Sequence, residues 1–400
     1  MFQMKKFKLL ALSFVLALAL CACGKEKESP IIEVGEEPLT TEAPADSSED
    51  ATGSEVVEEE EKLTLGNVTI GEREVVDGKM QSYLTGEWKD AEVAQRRPMA
   101  VMMPNNKAAL PQYGISRASI IYEAPVEGRI TRIMAVIEDY DDLEFVGPVR
   151  SSRDYYVYEA MAYDAIYCNW GLAIPYVEDL LKSDRIDNVS AAVKGIHNPS
   201  DEAFFRRKDR GSDYATEYTG YMSIEGYEAA VERRKYETEY RDTFEQAFTF
   251  SADGYMADYT SYDDATLIYP GGQTSNQGGY AIAKPWFEYN EEDGLYYRYQ
   301  FDGKMIDELN DEQVAVSNVV FKICHGEVRD ANDYLAFGCH GKGDAVIFTN
   351  GKVIEGSWKR DGDNGANMFY DENGDEIIFA QGKTWICNIW DDYQSFAQWK

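Results

Sequence analysis

Between Tyr122 and Asp154 the chain reads YEAPVEGRITRIMAVIEDYDDLEFVGPVRSSRD, and this run holds its densest set of groups able to bind or turn over an anion. Two acids (Glu123, Glu127), four arginines (Arg129, Arg132, Arg150, Arg153) and two serines (Ser151, Ser152) surround two Gly- or Pro-marked turns. Arg150 and Arg153 stand three apart at the start of a predicted helix, so their side chains share a face. Free N–H groups at a helix start, with serine hydroxyls beside them, form an anion cradle. Arg129, Arg132, Arg150, Ser151, Ser152 and Arg153 are therefore the candidate ligand-binding residues. Arg132 alternates with Ile130, Met134 and Val136, which points it inward, where an unpaired charge is costly. The competing reading is a structural network in which Glu123 and Glu127 simply neutralise the arginines.

Catalysis at the same place would need a base or a metal carboxylate, for which Glu123, Glu127 and Asp154 are the candidates. A serine nucleophile finds less support. No G-x-S-x-G elbow is present, and His197 is the only histidine in the first half of the chain, so capping of the following helix by Ser151, Ser152 or Asp154 is the expected role. Cys324-His325 and Cys339-His340 invite a metal reading. Neighbouring residues of a strand face opposite ways, however, and no C-x-x-C spacing occurs, so no metal and no cofactor are expected. A Cys324–Cys339 disulfide is the alternative for an exported chain. Trp286, Trp358, Trp385 and Trp390 fall in strand-like runs, where they form core or, if exposed, stack on sugar rings.

These groups need elements to hold them. RPMAVMMPN (97–105), SRASIIYEAPV (116–126) and RITRIMAVIED (129–139) read as strands, and AIYCNWG (165–171) as another. YYVYEAMAYD and IPYVEDLLKS (174–183) read as helices, the second with Pro175 in its first turn. The expectation is an α/β N-terminal domain, with a mostly parallel sheet and helices on both faces, and the arginine turn where strands run into helix starts. Downstream, short strands are separated by Asp302-Gly303, Asn350-Gly351 and Asn373-Gly374, which predict hairpins and a β-rich C-terminal domain, sandwich or open barrel. The domain limits read as 63–235 and 263–400, joined by 236–262.

The first residues carry a different message. Lys5, Lys6 and Lys8 precede an apolar run, Leu9 to Leu20, that is short for a bilayer span and fits a signal peptide over 1–22. The ending L-C-A-C-G makes Cys23 similar to the lipid-modified cysteine of a bacterial lipoprotein, implying a membrane tether on the extracytoplasmic face of the cell membrane. An acidic Glu/Ser/Thr/Pro-rich stretch follows to residue 62 and reads as a disordered linker. Across 400 residues, 72 acids outnumber 39 Lys and Arg for a net charge of −33, which disfavours nucleic acid as a partner. Basic residues clustered inside so acidic a chain suit local pairing or a small-anion site.

EAPVEGRITRIMAV followed by VGPVRSSRDYY resembles the N-terminal domain of the YerB-like bacterial lipoproteins, a family of unknown function. GKVIEGSWKR and FYDENGDEIIFAQGKTWI resemble the C-terminal domain of the same family. The resemblance implies a lipid-anchored surface protein with no established reaction. One departure concerns a Pro-His-Asn stretch that in the family follows the later arginine-rich turn. Here the chain reads FFRRKDRGSDYATEYTG (204–220), without histidine, and His197 precedes the turn, so no histidine role carries over. Arginines around a strand–turn–helix also invite comparison with the LytR-CpsA-Psr cell-wall ligases, an analogy at the level of fold. Three readings follow: a binder of a small anionic or envelope-derived ligand, an enzyme acting on phosphate-linked envelope substrates, and a scaffold that engages proteins through its β domain.

Overall fold

Ten strands, the central ones apolar and buried on both faces, build the principal sheet of the computed structural model, which describes residues 63–191, 203–273 and 278–400. In chain order these strands are β1 (Met99–Asn105), β2 (Ile120–Val126), β3 (Ile130–Ile137), β4 (Ile166–Trp170) and β5 (Asn188–Ala191). The later half of the chain supplies β6 (Asn318–Cys324), β7 (Gly341–Thr349), β8 (Lys352–Arg360), β9 (Met368–Asp371) and β10 (Thr384–Trp390). Their order across the sheet is β9-β8-β7-β6-β10-β2-β3-β1-β4-β5. Strand β10 pairs in parallel with both β6 and β2, so the two sequence regions contribute to one continuous sheet.

The mostly parallel α/β layer expected from the sequence is not what forms. Strand β3 runs antiparallel to both β2 and β1, while β1, β4 and β5 are mutually parallel, so the sheet is mixed and strand dominates over helix. The reason is chain length. Only Glu127-Gly128-Arg129 separates β2 from β3, and a parallel pair needs a crossover of about a dozen residues or more. Gly128 (φ 76°) and Arg129 (φ 61°) both take left-handed backbone there, which turns the chain back on itself; the glycine makes the first of these easy. Asn350 and Gly351 do the same between β7 and β8, as their sequence predicts.

Each face of the sheet packs against a different partner. Ala100, Met102, Tyr122, Met134, Val320, Ile347 and Ile386 share a core with α1 (Asp154–Met161) and α2 (Ile174–Lys182). The alternate residues Met99, Val101, Ile121, Ile133, Phe321, Phe348 and Trp385 pack on α3 (Ile224–Arg234) and on a second sheet through Ile268, Phe287 and Tyr296. That second sheet is antiparallel and includes Leu267–Tyr269, Trp286–Asn290 and Leu295–Gln300. Two buried ion pairs tie the layers together. Arg298 of the second sheet meets Glu123 at 2.6 Å, and Lys322 of β6 meets Glu159 of α1 at 2.7 Å. Cys168, Cys324, Cys339 and Cys387 are buried free thiols, so the alternative Cys324–Cys339 disulfide is not formed. The signal region, Cys23, the acidic linker and His197 lie outside the described residues.

Candidate functional site

The pairing directions place the carboxyl ends of β1, β2, β4, β5, β6 and β10 along one edge of the sheet. The arginine-rich turns fall at this edge. Arg132 opens β3, opposite Pro104 near the end of β1, and Arg150 is held by its backbone N–H to the carbonyl of Met102. Ser152 N–H donates to the carbonyl of Gly171 just beyond β4, and Arg153 precedes α1. Local strand and turn geometry thus gathers three of the four arginines, Arg132, Arg150 and Arg153, into one electrostatic neighbourhood.

Arg132 is the least ordinary of them. It is 6% exposed, and among the described residues its one acceptor is the carbonyl of Ser151 at 2.6 Å. No carboxylate among the described residues pairs with it. Burial, together with the charges of Arg153 and Arg150, lowers its pKa to about 10. Arg150 is half-buried, 3.7 Å from Glu217 and over the ring of Tyr218. Arg153 makes two hydrogen bonds to Glu127, at 2.8 and 2.5 Å; burial opposes its charge, but Glu127 outweighs burial and raises its pKa. Arg129 sits at the β2–β3 turn and lines a neighbouring cleft.

The serine hydroxyls are committed to protein partners. Ser152 is fully buried with its hydroxyl 2.7 Å from that of Tyr167, and the Ser151 hydroxyl donates to the carbonyl of Trp170 at 3.3 Å. The residue at the cap of α1 is Arg153, and no side chain caps the helix, so the capping role expected of Ser151, Ser152 or Asp154 is not realised. The three candidate bases are all engaged. Glu123 is wholly buried and accepts from Asn105, Thr131, Arg298 and Trp385. Glu127 holds Arg153, and Asp154 meets Arg329 at 2.7 Å. Burial raises the pKa of Asp154 against the pull of Arg329.

One cation escaped sequence reasoning. Arg206, from the later FFRR turn, lies over the indole of Trp170 at 4.1 Å, and burial plus the charge of Arg150 lowers its pKa. Its signal was the arginine-rich turn itself, but only the pairing of 204–206 with 220–222 brings it to the site. As for the Cys-His dipeptides, Cys324 is buried while His325 is exposed beside Asp391, and Cys339 is buried while His340 meets Asp363 at 3.1 Å.

Comparison with known proteins settles the kinship. Residues 84–237 match the family described as "Protein of unknown function (DUF3048) N-terminal domain", and residues 276–386 match its C-terminal domain. The chain belongs to the DUF3048 family. A relative in Bacillus subtilis (strain 168), named "Putative lipoprotein YerB", is 29% identical over 317 residues, spanning 77% of this chain and 86% of that one. The crystal structure of YerB protein from Bacillus subtilis superposes with a TM-score of 0.67 at 25% identity, covering 80% of this chain and 99% of that one. DUF3048 membership therefore extends over both sequence regions, and the YerB-like resemblance read from the motifs holds. Kinship with a lipoprotein agrees with a membrane-anchored chain. Among the described residues no helix is long and apolar enough to cross a membrane.

Proposed function

We propose that this chain is a lipid-anchored extracytoplasmic protein that binds a small anionic ligand from the cell envelope at the carboxyl edge of its sheet. The observation that carries the reading is Arg132. A guanidinium buried without a carboxylate, beside two further arginines, raises the energy of the empty site, and an anion arriving there relieves it. The net charge of −33 sharpens the contrast, because acidic surroundings repel long polyanions while a local basic cluster still attracts a small anion. Arg150 supplies a half-buried charge, and the exposed Arg206 flanks it. The carboxylates an enzyme would use as base are committed to Arg298, Arg153 and Arg329, which favours binding over turnover.

The test is a calorimetric titration of the full mature chain in detergent with inorganic phosphate. Saturable binding is expected, and Arg150→Glu, which reverses a half-buried charge without touching the core, weakens it at least tenfold. Equal affinity in the two proteins would refute the assignment. Anchoring is tested separately. Cys23→Ser is expected to move the chain from the membrane fraction to the soluble fraction of cells, and a variant that stays with the membrane would rule out lipidation at Cys23.

A further inference from the structure

Beside the arginines, where β2 and β10 end, lies a second cleft of about 450 Å³. Its walls combine aromatic surface from Trp390 and Tyr393 with the polar groups of Glu127, Arg129 and Asp333, and Val328, 52% exposed, stands at its rim. This is the composition of a carbohydrate subsite, where ring faces cover the C–H side of a pyranose and flanking carboxylates and guanidinium groups exchange hydrogen bonds with its hydroxyls. The indole is held firmly. Gly326 packs so closely that a Cβ there would come within 2.7 Å of the Trp390 ring, and Tyr393 meets Trp390 edge-on at 5.1 Å. The phenol ring of Tyr393 is in turn stacked near Phe396.

The cleft and the basic site share a wall. Glu127 lines the cleft and grips Arg153, whose guanidinium lies over Tyr334, the residue between cleft-lining Asp333 and Leu335. Arg153 donates to the carbonyl of Ser152 at 2.7 Å and Arg132 to that of the adjacent Ser151 at 2.6 Å, which places the two sites side by side. A ligand with an anionic end and a hydroxyl-bearing ring would occupy both. We infer that the ligand is a sugar phosphate, with its phosphate on Arg132 and Arg150 and its sugar ring against the surface that Trp390 and Tyr393 form together. The inference rests on the anion reading above and adds the sugar to it.

The experiment compares inorganic phosphate, N-acetylglucosamine and N-acetylglucosamine 1-phosphate by calorimetry on the full mature chain in detergent. The sugar phosphate is expected to bind at least tenfold more tightly than phosphate. Tyr393→Ala removes that advantage and leaves phosphate binding unchanged. Val328→Trp, which fills the cleft from its rim without removing any core packing, does the same and guards against a misfolded Tyr393→Ala. Equal affinity for phosphate and sugar phosphate, or an advantage that survives both variants, would overturn the sugar assignment while the anion site stands. Absence of phosphate and sugar-phosphate binding alike would overturn both. Within the supported class, a methyl phosphodiester of the same sugar separates the sources: binding equal to the monoester assigns the ligand to polymer-linked sugar phosphate, and weaker binding assigns it to the free monoester.

Discussion

Glu123→Gln is expected to cost about 3–5 kcal/mol of folding stability, the range for removing one partner of a buried ion pair. Glu123 is fully buried, with one carboxylate oxygen accepting from Asn105 at 2.9 Å and Thr131 at 2.6 Å. The other oxygen accepts from Arg298 at 2.6 Å and the Trp385 indole at 3.2 Å. The amide keeps the shape but loses the charge, and it turns an acceptor into a donor that faces donors. Arg298, clamped between Phe287 and Trp385, then sits in the core as an uncompensated cation. Adding Arg298→Met should recover most of the loss, because it removes the stranded charge with an apolar side chain of similar length. Urea denaturation of the three proteins measures both effects. A cost below about 1 kcal/mol would show that the pair is not the strut between sheets that its geometry describes.

Lys322→Met should destabilise by about 3 kcal/mol at neutral pH and make folding stability less sensitive to acid. Glu159 lies in the core with Lys322 at 2.7 Å, Asn367 at 2.9 Å and Arg360 at 3.4 Å. Burial works to raise its pKa, but Lys322 and Arg360 outweigh burial and hold it below its ordinary 4.5. A carboxylate with a depressed folded-state pKa contributes stability that is fully present above its unfolded value and is lost as pH falls through the folded one. The wild type should therefore keep this contribution above pH 4.5 and lose it as pH falls below that. Without Lys322 the carboxylate picks up its proton at higher pH, and the stability difference between variant and wild type shrinks as pH drops from 6 to 4. Glu138, whose pKa is raised by burial, acts with the opposite sign but equally in both proteins. A stability difference independent of pH would contradict the linkage.

Both struts show what a linear sequence conceals. Glu123 and Glu159 contact partners 163 to 262 positions away along the chain, at Arg298, Trp385 and Lys322, and nothing near them announces those partners. Apolar runs identified the strands at 99–105 and 120–126, alternation that at 130–137, and Pro175 marked the first turn of α2. The expected mostly parallel layer failed on a feature that was visible. A three-residue link, Glu127-Gly128-Arg129, permits only a hairpin, and weighing it would have turned β3 around. The joining of β2 to β10 was not visible, because a parallel pair formed across more than half the chain leaves no local pattern. In the site, alternation pointed Arg132 inward as found, whereas the serines were drawn off by Tyr167 and Trp170, partners beyond the local helix signal.

The central claim is that Arg132 is kept charged and carboxylate-free in order to receive an anion, and Arg132→Met tests it most directly. A base whose folded-state pKa is lowered to about 10 is under strain while protonated, so the charged side chain costs stability throughout the neutral range. Replacing it forfeits one hydrogen bond to Ser151 and relieves that strain. The account predicts that Arg132→Met leaves folding stability unchanged or raises it by about 1 kcal/mol, while pyrophosphate affinity falls at least tenfold. A variant that binds pyrophosphate as the wild type does, or one that loses several kcal/mol of stability, would make Arg132 a structural residue and contradict the account.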